Sequence, residues 1–303
     1  METKTIKDFD ELLSRELHQG KNKRVAIAWG LDTETRAAIL EALQRRMLEA
    51  VFVGPGEPLR QSHEFEAFSD HVSYVEAATE QEASAKCVSL VREGKADIVM
   101  KGLVHSDTLL RAVLSKEEGL LPKGNVLTHL AVAKLPNYHK LLFYTDAAVI
   151  PYPTDAQRHM QVKYIADTCH RLGIAEPRIS LIHCSEKVDA KHFPYTAGFA
   201  SIKEAALRGD FGACVVDGPL DLKTSCDRKS MSIKGIHSPI NGDADALIFP
   251  DIEAGNLFHK VITLFCGAEI ACLLMGTSAP VVFTSRSDSA RTKLMSLAIA
   301  LNL

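Results

Sequence analysis

Short apolar runs recur along this chain, and longer amphipathic patterns separate them. The runs predict strands at Val25–Trp29, Ala50–Val53, His71–Val75, Asp97–Met100, Leu127–Ala133 and Lys140–Tyr144. Further strands are predicted at Ile179–His183, Cys214–Val216, Ala246–Phe249, Ile270–Leu274 and Val281–Phe283. Helical patterns lie between them, at Thr33–Leu48, Glu80–Arg92 and Asp155–Leu172, and a last one follows at Ala290–Leu303. Such alternation predicts an α/β fold with mostly parallel sheets and right-handed crossovers. The run Leu127–Tyr144 breaks the rhythm. Two strand patterns are joined there by six residues only, 134–139, which predicts an antiparallel pair and a passage between domains. The strand and helix of 281–303 resemble the elements of the first part. The expected division is therefore a discontinuous first α/β domain, 1–135 plus 278–303, and a second α/β domain, 136–277, with a cleft between them.

Ligands of α/β sheets bind outside the carboxyl ends of strands, so polar residues that follow a strand are the candidates for chemistry. In Val282–Ser289 an apolar run ends in a turn holding Ser285, Arg286, Ser287 and Asp288, and a helix pattern starts at once. Backbone N–H groups at a helix start, hydroxyl donors and a guanidinium fork suit a phosphate or a developing oxyanion. The same construction occurs at Ile98–Asp107, with Lys101, His105 and Ser106, ahead of a helix that carries Arg111. Ser106 can serve there as a helix cap or as an anion donor. Asp32 reads as an N-cap, and Asp146 as a turn or cap acid. Asp217-Gly218-Pro219 makes a sharp turn at a strand end. Asp251 reads as an N-cap, with Glu253 and Asn256 in the first turns of its helix. Gly255 inside that helix costs about 1 kcal/mol relative to Ala, which predicts a close approach to that face.

Composition narrows the function classes. A net charge of −3 gives no basic field for nucleic acid. Met1–Phe9 is charged, unlike a signal peptide, and no apolar run reaches the roughly 20 residues of a membrane span. Seven cysteines without CxxC spacing predict buried free thiols in a reducing cytoplasm. Scattered histidines predict no metal site. No GxGxxG after a strand, GxxxxGK[ST], GxSxG or HExxH is present, which excludes the corresponding dinucleotide, P-loop, hydrolase and metalloprotease signatures.

Five segments carry a resemblance to a known family: 96–114 (ADIVMKGLVHSDTLLRAVL), 143–154 (FYTDAAVIPYPT), 215–222 (VVDGPLDL), 238–256 (SPINGDADALIFPDIEAGN) and 280–289 (PVVFTSRSDS). In order and spacing they resemble the phosphate acetyltransferase/phosphate butyryltransferase family, most closely its butyryltransferase branch. The resemblance implies two α/β domains of the isocitrate/isopropylmalate dehydrogenase type, usually in a homodimer or higher homo-oligomer. It implies reversible acyl transfer between coenzyme A and inorganic phosphate, with coenzyme A as substrate and no cofactor. Phosphate acetyltransferase and a non-catalytic acyl-CoA-sensing domain are the alternatives. An acyltransferase that takes its acyl group from an acidic carrier protein would need a basic docking patch, and none is evident. By resemblance Ser285 meets the carbonyl oxygen and Arg286 meets phosphate, with Arg111 as a second phosphate ligand. Ser106, His105 and Lys101 accompany Arg111. Asp146, Asp217, Gly218, Glu253 and Asn256 are the expected residues for CoA and the acyl group. The acetyl branch carries an aspartate seven residues beyond its serine as base for the CoA thiol. This chain has Thr292 there, and Asp288 is the nearest acid.

Overall fold

Each predicted apolar run forms a strand. The computed structural model describes residues 6–14, 22–60 and 63–303, so the parts of the expected first domain at 1–5, 15–21 and 61–62 lie outside the described residues. The strands are β1 (Lys23–Ala28), β2 (Leu48–Gly54), β3 (Val72–Glu76), β4 (Ile98–Lys101), β5 (Thr128–Lys134) and β6 (Leu141–Thr145). They continue with β7 (Arg178–Ile182), β8 (Val215–Leu220), β9 (Ala246–Ile248), β10 (Glu269–Met275) and β11 (Val281–Val282).

The chain divides into two compact units. One contains Thr128–Glu269 with residues 6–11, and its sheet runs β5-β6-β9-β7-β8. The other contains Leu12–Leu127 and Ile270–Leu303, and its sheet runs β3-β2-β1-β4-β11-β10. The expected boundaries near 135 and 278 differ from these. β5 groups with the middle segment because it pairs antiparallel with β6, Ala131 opposite Tyr144. β10 groups with the terminal segments because it pairs antiparallel with β11, Leu273 opposite Val282. The other pairings in both sheets are parallel. β4 and β6 are buried along their whole length, as strands covered on both faces must be.

Helix starts follow side-chain chemistry. Asp32 accepts the Thr35 N–H at the start of Thr33–Gln44, and Asp251 accepts the Ala254 N–H at the start of Ile252–Phe265. Thr154 and Gln157 form a reciprocal capping box on Asp155–Arg171. The last helix, Ala290–Leu301, is buried from Lys293 onward and packs on Thr33–Gln44. Among the described residues, no helix is long and apolar enough to cross a membrane. All seven cysteines are free; Cys87, Cys169 and Cys272 are buried, whereas Cys184 and Cys266 are exposed, against the expectation of burial.

Gly255 is explained by what faces it: a Cβ there would run into the backbone carbonyl oxygen of Asp146. Gly255→Ala should therefore destabilise the protein by about 1–3 kcal/mol through overpacking, instead of giving the ~1 kcal/mol gain of an ordinary helical Gly→Ala change. Urea unfolding of the two proteins checks the sign.

Candidate active site

In the unit formed by Leu12–Leu127 and Ile270–Leu303, β1, β4 and β11 are neighbours and run parallel. Ala28 lies opposite Lys101, and Met100 opposite Val282, so all three strands end at one level. The turns that follow them lie side by side. Gly102 N–H donates to the Ala28 carbonyl (3.0 Å) and Leu103 N–H to that of Trp29 (2.9 Å), which ties the second turn to the first. Only glycine fits at 102, because a Cβ would stand 2.6 Å from the Ala28 oxygen and 2.7 Å from that of Trp29. The chemistry-bearing residues 101–106 and 284–289 are thereby set against each other.

Across these turns Arg286 Nη1 donates to His105 Nε2 (3.4 Å). Ser285, Arg286, His105 and Ser106 are all exposed. The Ser285 N–H donates to Asp288 Oδ2 (2.7 Å), and the Asp288 N–H returns to the Ser285 carbonyl (3.2 Å). Asp288 therefore braces the turn with one carboxylate oxygen. Ser285 Oγ lies 3.1 Å from Ser287 Oγ and accepts the Ser287 N–H (3.4 Å) within the same exposed turn.

The two helix starts beside this site differ. At Ser106–Val113 the cap position is His105, not Ser106 as one reading of the sequence had it, and no side chain caps the helix. The His105 N–H itself goes to Glu80 Oε2 (2.9 Å). At Ala290–Leu301 the cap is Ser289, which accepts the Thr292 N–H, while Glu34 Oε2 accepts the Ala290 N–H (2.7 Å). Two of the expected anion donors at that second start are already taken. Thr292, where the acetyl branch has its aspartate, is a first-turn residue of this helix.

Arg111 is placed less closely than expected. It pairs with Asp107 at 3.7 Å on an exposed helix face, with 83% of its side chain accessible. Such a pair contributes little stability and leaves the guanidinium free to turn toward a ligand. Lys101 is fully buried, and among the described residues its Nζ reaches the Gly102 carbonyl alone, at 3.4 Å. Burial first, then repulsion from Lys293 and Arg286, pulls Lys101 down to about 8, against attraction by Asp32 and Asp288.

In the other unit the expected CoA and acyl residues fall into two groups. Asp146 is buried, and its carboxylate accepts the N–H groups of His129, Ala148, Val149 and Ile150 and the hydroxyl of Thr128. Asn256 Nδ2 donates to the Ala147 carbonyl (2.9 Å) of the same turn. Both residues brace the turn after β6: the Asp146 carboxylate is engaged inside the fold, whereas Asn256 is exposed. Asp217 pairs with Lys203 (3.2 Å), Gly218 lies within β8, and Glu253 is exposed in the first turn of its helix. The segment 238–256 also holds Asp243 and Asp245. Asp243 pairs with Arg178 and Arg228, and Asp245 with Lys140. Part of what carries the resemblance is thus structural.

With this geometry described, comparison with known proteins decides the family: phosphate acetyl/butaryl transferase matches residues 71–301. The chain belongs to the phosphate acetyl/butaryl transferase family. A phosphate butyryltransferase of Clostridium beijerinckii is 37% identical over 97% of this chain and 97% of its own length. A phosphate acetyltransferase of Rhizobium meliloti is 33% identical over 90% of this chain and 86% of its own. The solved structure of a branched-chain phosphotransacylase from Enterococcus faecalis superposes with a TM-score of 0.81 at 32% identity, covering 92% of this chain and 98% of that one. Two hollows of about 370 and 430 Å³ lie near the amino-terminal ends of β1–β3, lined by residues such as Arg24, Glu49, Leu48 and His71, at the strand ends opposite to the Ser285 turn.

Sequence reasoning missed two residues here, Asp32 as more than a cap and Lys293. Lys293 lies within an apolar helix pattern, fully buried, with Nζ 3.5 Å from the Ser285 carbonyl and 3.8 Å from Asp32 Oδ1. A lysine on the buried face of a helix was the available signal.

The assignment of Asp146 to the turn has a measurable consequence. Asp146→Ala leaves five donors unpaired and should lower unfolding stability by about 3 kcal/mol or more. Ser285→Ala should stay within about 1 kcal/mol of the parent. Guanidinium chloride midpoints of the two variants test the contrast.

Proposed function

We propose that this chain catalyses reversible transfer of a short acyl group, butyryl or similar, between coenzyme A and inorganic phosphate, giving acyl phosphate and CoA. The observation that carries the reading is the meeting of the β4 and β11 turns, where an exposed serine hydroxyl, the Arg286–His105 contact and an uncapped helix start converge. Membership of a family whose relatives bear both transferase names supports it. In the forward direction a phosphate oxygen attacks the thioester carbonyl and the carbonyl oxygen becomes an oxyanion. Arg286 holds the phosphate, with Arg111, Ser106 and His105 around it. Ser285 Oγ donates to the oxyanion, which exists only during reaction. The thiolate then leaves. In reverse, the CoA thiol must lose a proton, and Asp288 is the base through the oxygen not engaged by the Ser285 N–H. Holding both reactants in line supplies several kcal/mol of the barrier. Asp217, Gly218, Glu253 and the exposed Asn256 are the candidates for CoA and the acyl chain. Coenzyme A is a substrate in this scheme and no separate cofactor takes part.

Acetyl transfer is the second reading, favoured by acetyltransferase relatives at an identity close to that of the butyryltransferases. A non-catalytic acyl-CoA sensor is disfavoured by the presence of Ser285, Arg286 and Arg111 together. We place the enzyme in the cytoplasm, on its seven free thiols, and as a homo-oligomer, on the exposed Leu257, Leu264 and Phe265 of one helix.

Phosphate-dependent release of CoA thiol from acetyl- through hexanoyl-CoA tests the activity. Turnover should peak at butyryl or a neighbouring length; no phosphate-dependent release from any of them refutes the enzyme reading. Ser285→Ala should lower kcat by about 100-fold or more with smaller changes in either KM. A kcat within threefold of the parent would reduce Ser285 to a turn residue. Arg286→Ala should raise the KM for phosphate about ten- to a hundredfold, the loss of a charge-assisted contact of ~1.5–3 kcal/mol.

A further inference from the structure

Beneath the Ser285–Asp288 turn lies a group of charges that the mechanism above does not use. Lys101, at the end of β4, and Lys293, in the last helix, are both fully buried. Their nearest polar partners are distant: Lys101 Nζ is 3.4 Å from the Gly102 carbonyl, and Lys293 Nζ is 3.5 Å from the Ser285 carbonyl and 3.8 Å from Asp32 Oδ1. Asp32 spends Oδ1 on the Thr35 N–H, and its Oδ2 is buried with no hydrogen-bond partner among the described residues. Thr284 Oγ1, in the turn itself, is likewise buried without a partner.

Such an arrangement is costly in itself. A buried ammonium needs a compensating charge or several hydrogen bonds, and neither lysine has a short one. The groups that face Lys101 are Lys293 from the last helix, Arg286 and Asp288 from the turn, and Asp32 from the turn after β1. With Lys101 protonated, three cations stand against two carboxylates, which leaves one positive charge over. An anion seated at Arg286 supplies the missing negative charge.

We propose that Lys101, Lys293 and Asp32 form a buried cationic floor under the Ser285–Arg286 turn, and that Lys101 takes up a proton when phosphate binds above it. The lysines act through the turn and do not touch the ligand. Lys293 faces the Ser285 carbonyl from below, at 3.5 Å. The inference rests on the reading of the turn as the phosphate seat. Its direction follows from linkage. An anion favours the charged form of a nearby lysine, so binding raises the affinity of Lys101 for a proton. Below pH 8 Lys101 is already largely charged and little uptake occurs; above it, binding draws in a proton and phosphate affinity falls, by at most roughly tenfold per pH unit.

The test is titration calorimetry of the full-length protein with inorganic phosphate, from pH 7 to pH 9.5, in two buffers of different ionisation enthalpy. Wild type should take up a substantial fraction of a proton per phosphate above pH 8. Lys101→Met, close in volume, should lose that uptake, leaving only the proton exchange of phosphate itself, and should bind at least several-fold more weakly at pH 7. In Lys293→Met, relief of repulsion on Lys101 should move the uptake to higher pH. Circular dichroism and the urea midpoint establish that each variant is folded; should Lys101→Met not fold, Lys101→Gln replaces it, and the Lys293→Met shift tests the same coupling independently. Uptake that is unchanged in the Lys101 variant overturns the inference while the phosphate seat stands, provided that Arg286→Ala still weakens binding. Phosphate affinity that is unchanged in Arg286→Ala removes the seat, and the inference falls with it.

Discussion

A lysine at the end of a fully buried parallel strand sets the terms for this half of the molecule. Lys101 is buried, so the balance of charges around it governs how readily it can hold its proton. The carboxylates that follow the neighbouring strands, Asp32 after β1 and Asp288 after β11, meet part of its need for compensating charge, and Arg286 adds to that need. The strand register does the rest. Because β1, β4 and β11 are parallel and end together, three loops that are remote in sequence deliver their charges to one place. Gly102 lets the backbone pass close enough for this, where any side chain would push the loops apart.

Most of the fold was legible because most of its strands are buried on both faces and therefore read as unbroken apolar runs; β3 is an exception, half-exposed along its length. The antiparallel return at Leu127–Tyr144 was legible for another reason: six residues are too few for a crossover helix. The sorting of strands into units was less so. β5 and β10 are each bound to a neighbour by antiparallel pairing, and composition says nothing about which sheet an apolar strand will join. At the site, Ser285 and Arg286 stood out because a polar turn between a strand and a helix is visible locally. Asp32 and Lys293 did not, because their meaning lies in a contact across 261 positions of sequence, and a cap and a helix lysine each look ordinary alone.

The two candidate acids illustrate how like residues after like strands diverge. Asp146 and Asp288 both follow a strand and both accept backbone N–H groups. Asp146 is sealed under four N–H groups and a hydroxyl. Asp288 accepts one at a half-buried position and keeps an oxygen to spare. Carboxylates that are saturated by donors serve as permanent anchors, whereas one with spare capacity can exchange a proton or meet a ligand. Sequence shows the acid; only the count of donors around it separates the roles.

The last helix has a consequence for how the protein comes into being. Residues 12–127 complete their sheet only with β10 and β11, and residues 293–301 lie buried against their helix Thr33–Gln44. Between these parts the ribosome must first synthesise all of 128–269, a unit with its own sheet. The early segment therefore waits, with strand edges unpaired, until synthesis reaches 281–301 and supplies the last strand and helix of this unit. The middle unit meanwhile has all of its strands and can settle first. Synthesis order and folding order are thus inverted for the half that carries Ser285, and a nascent chain halted before residue 281 lacks the serine, the arginine and the strand that would bring them to Lys101.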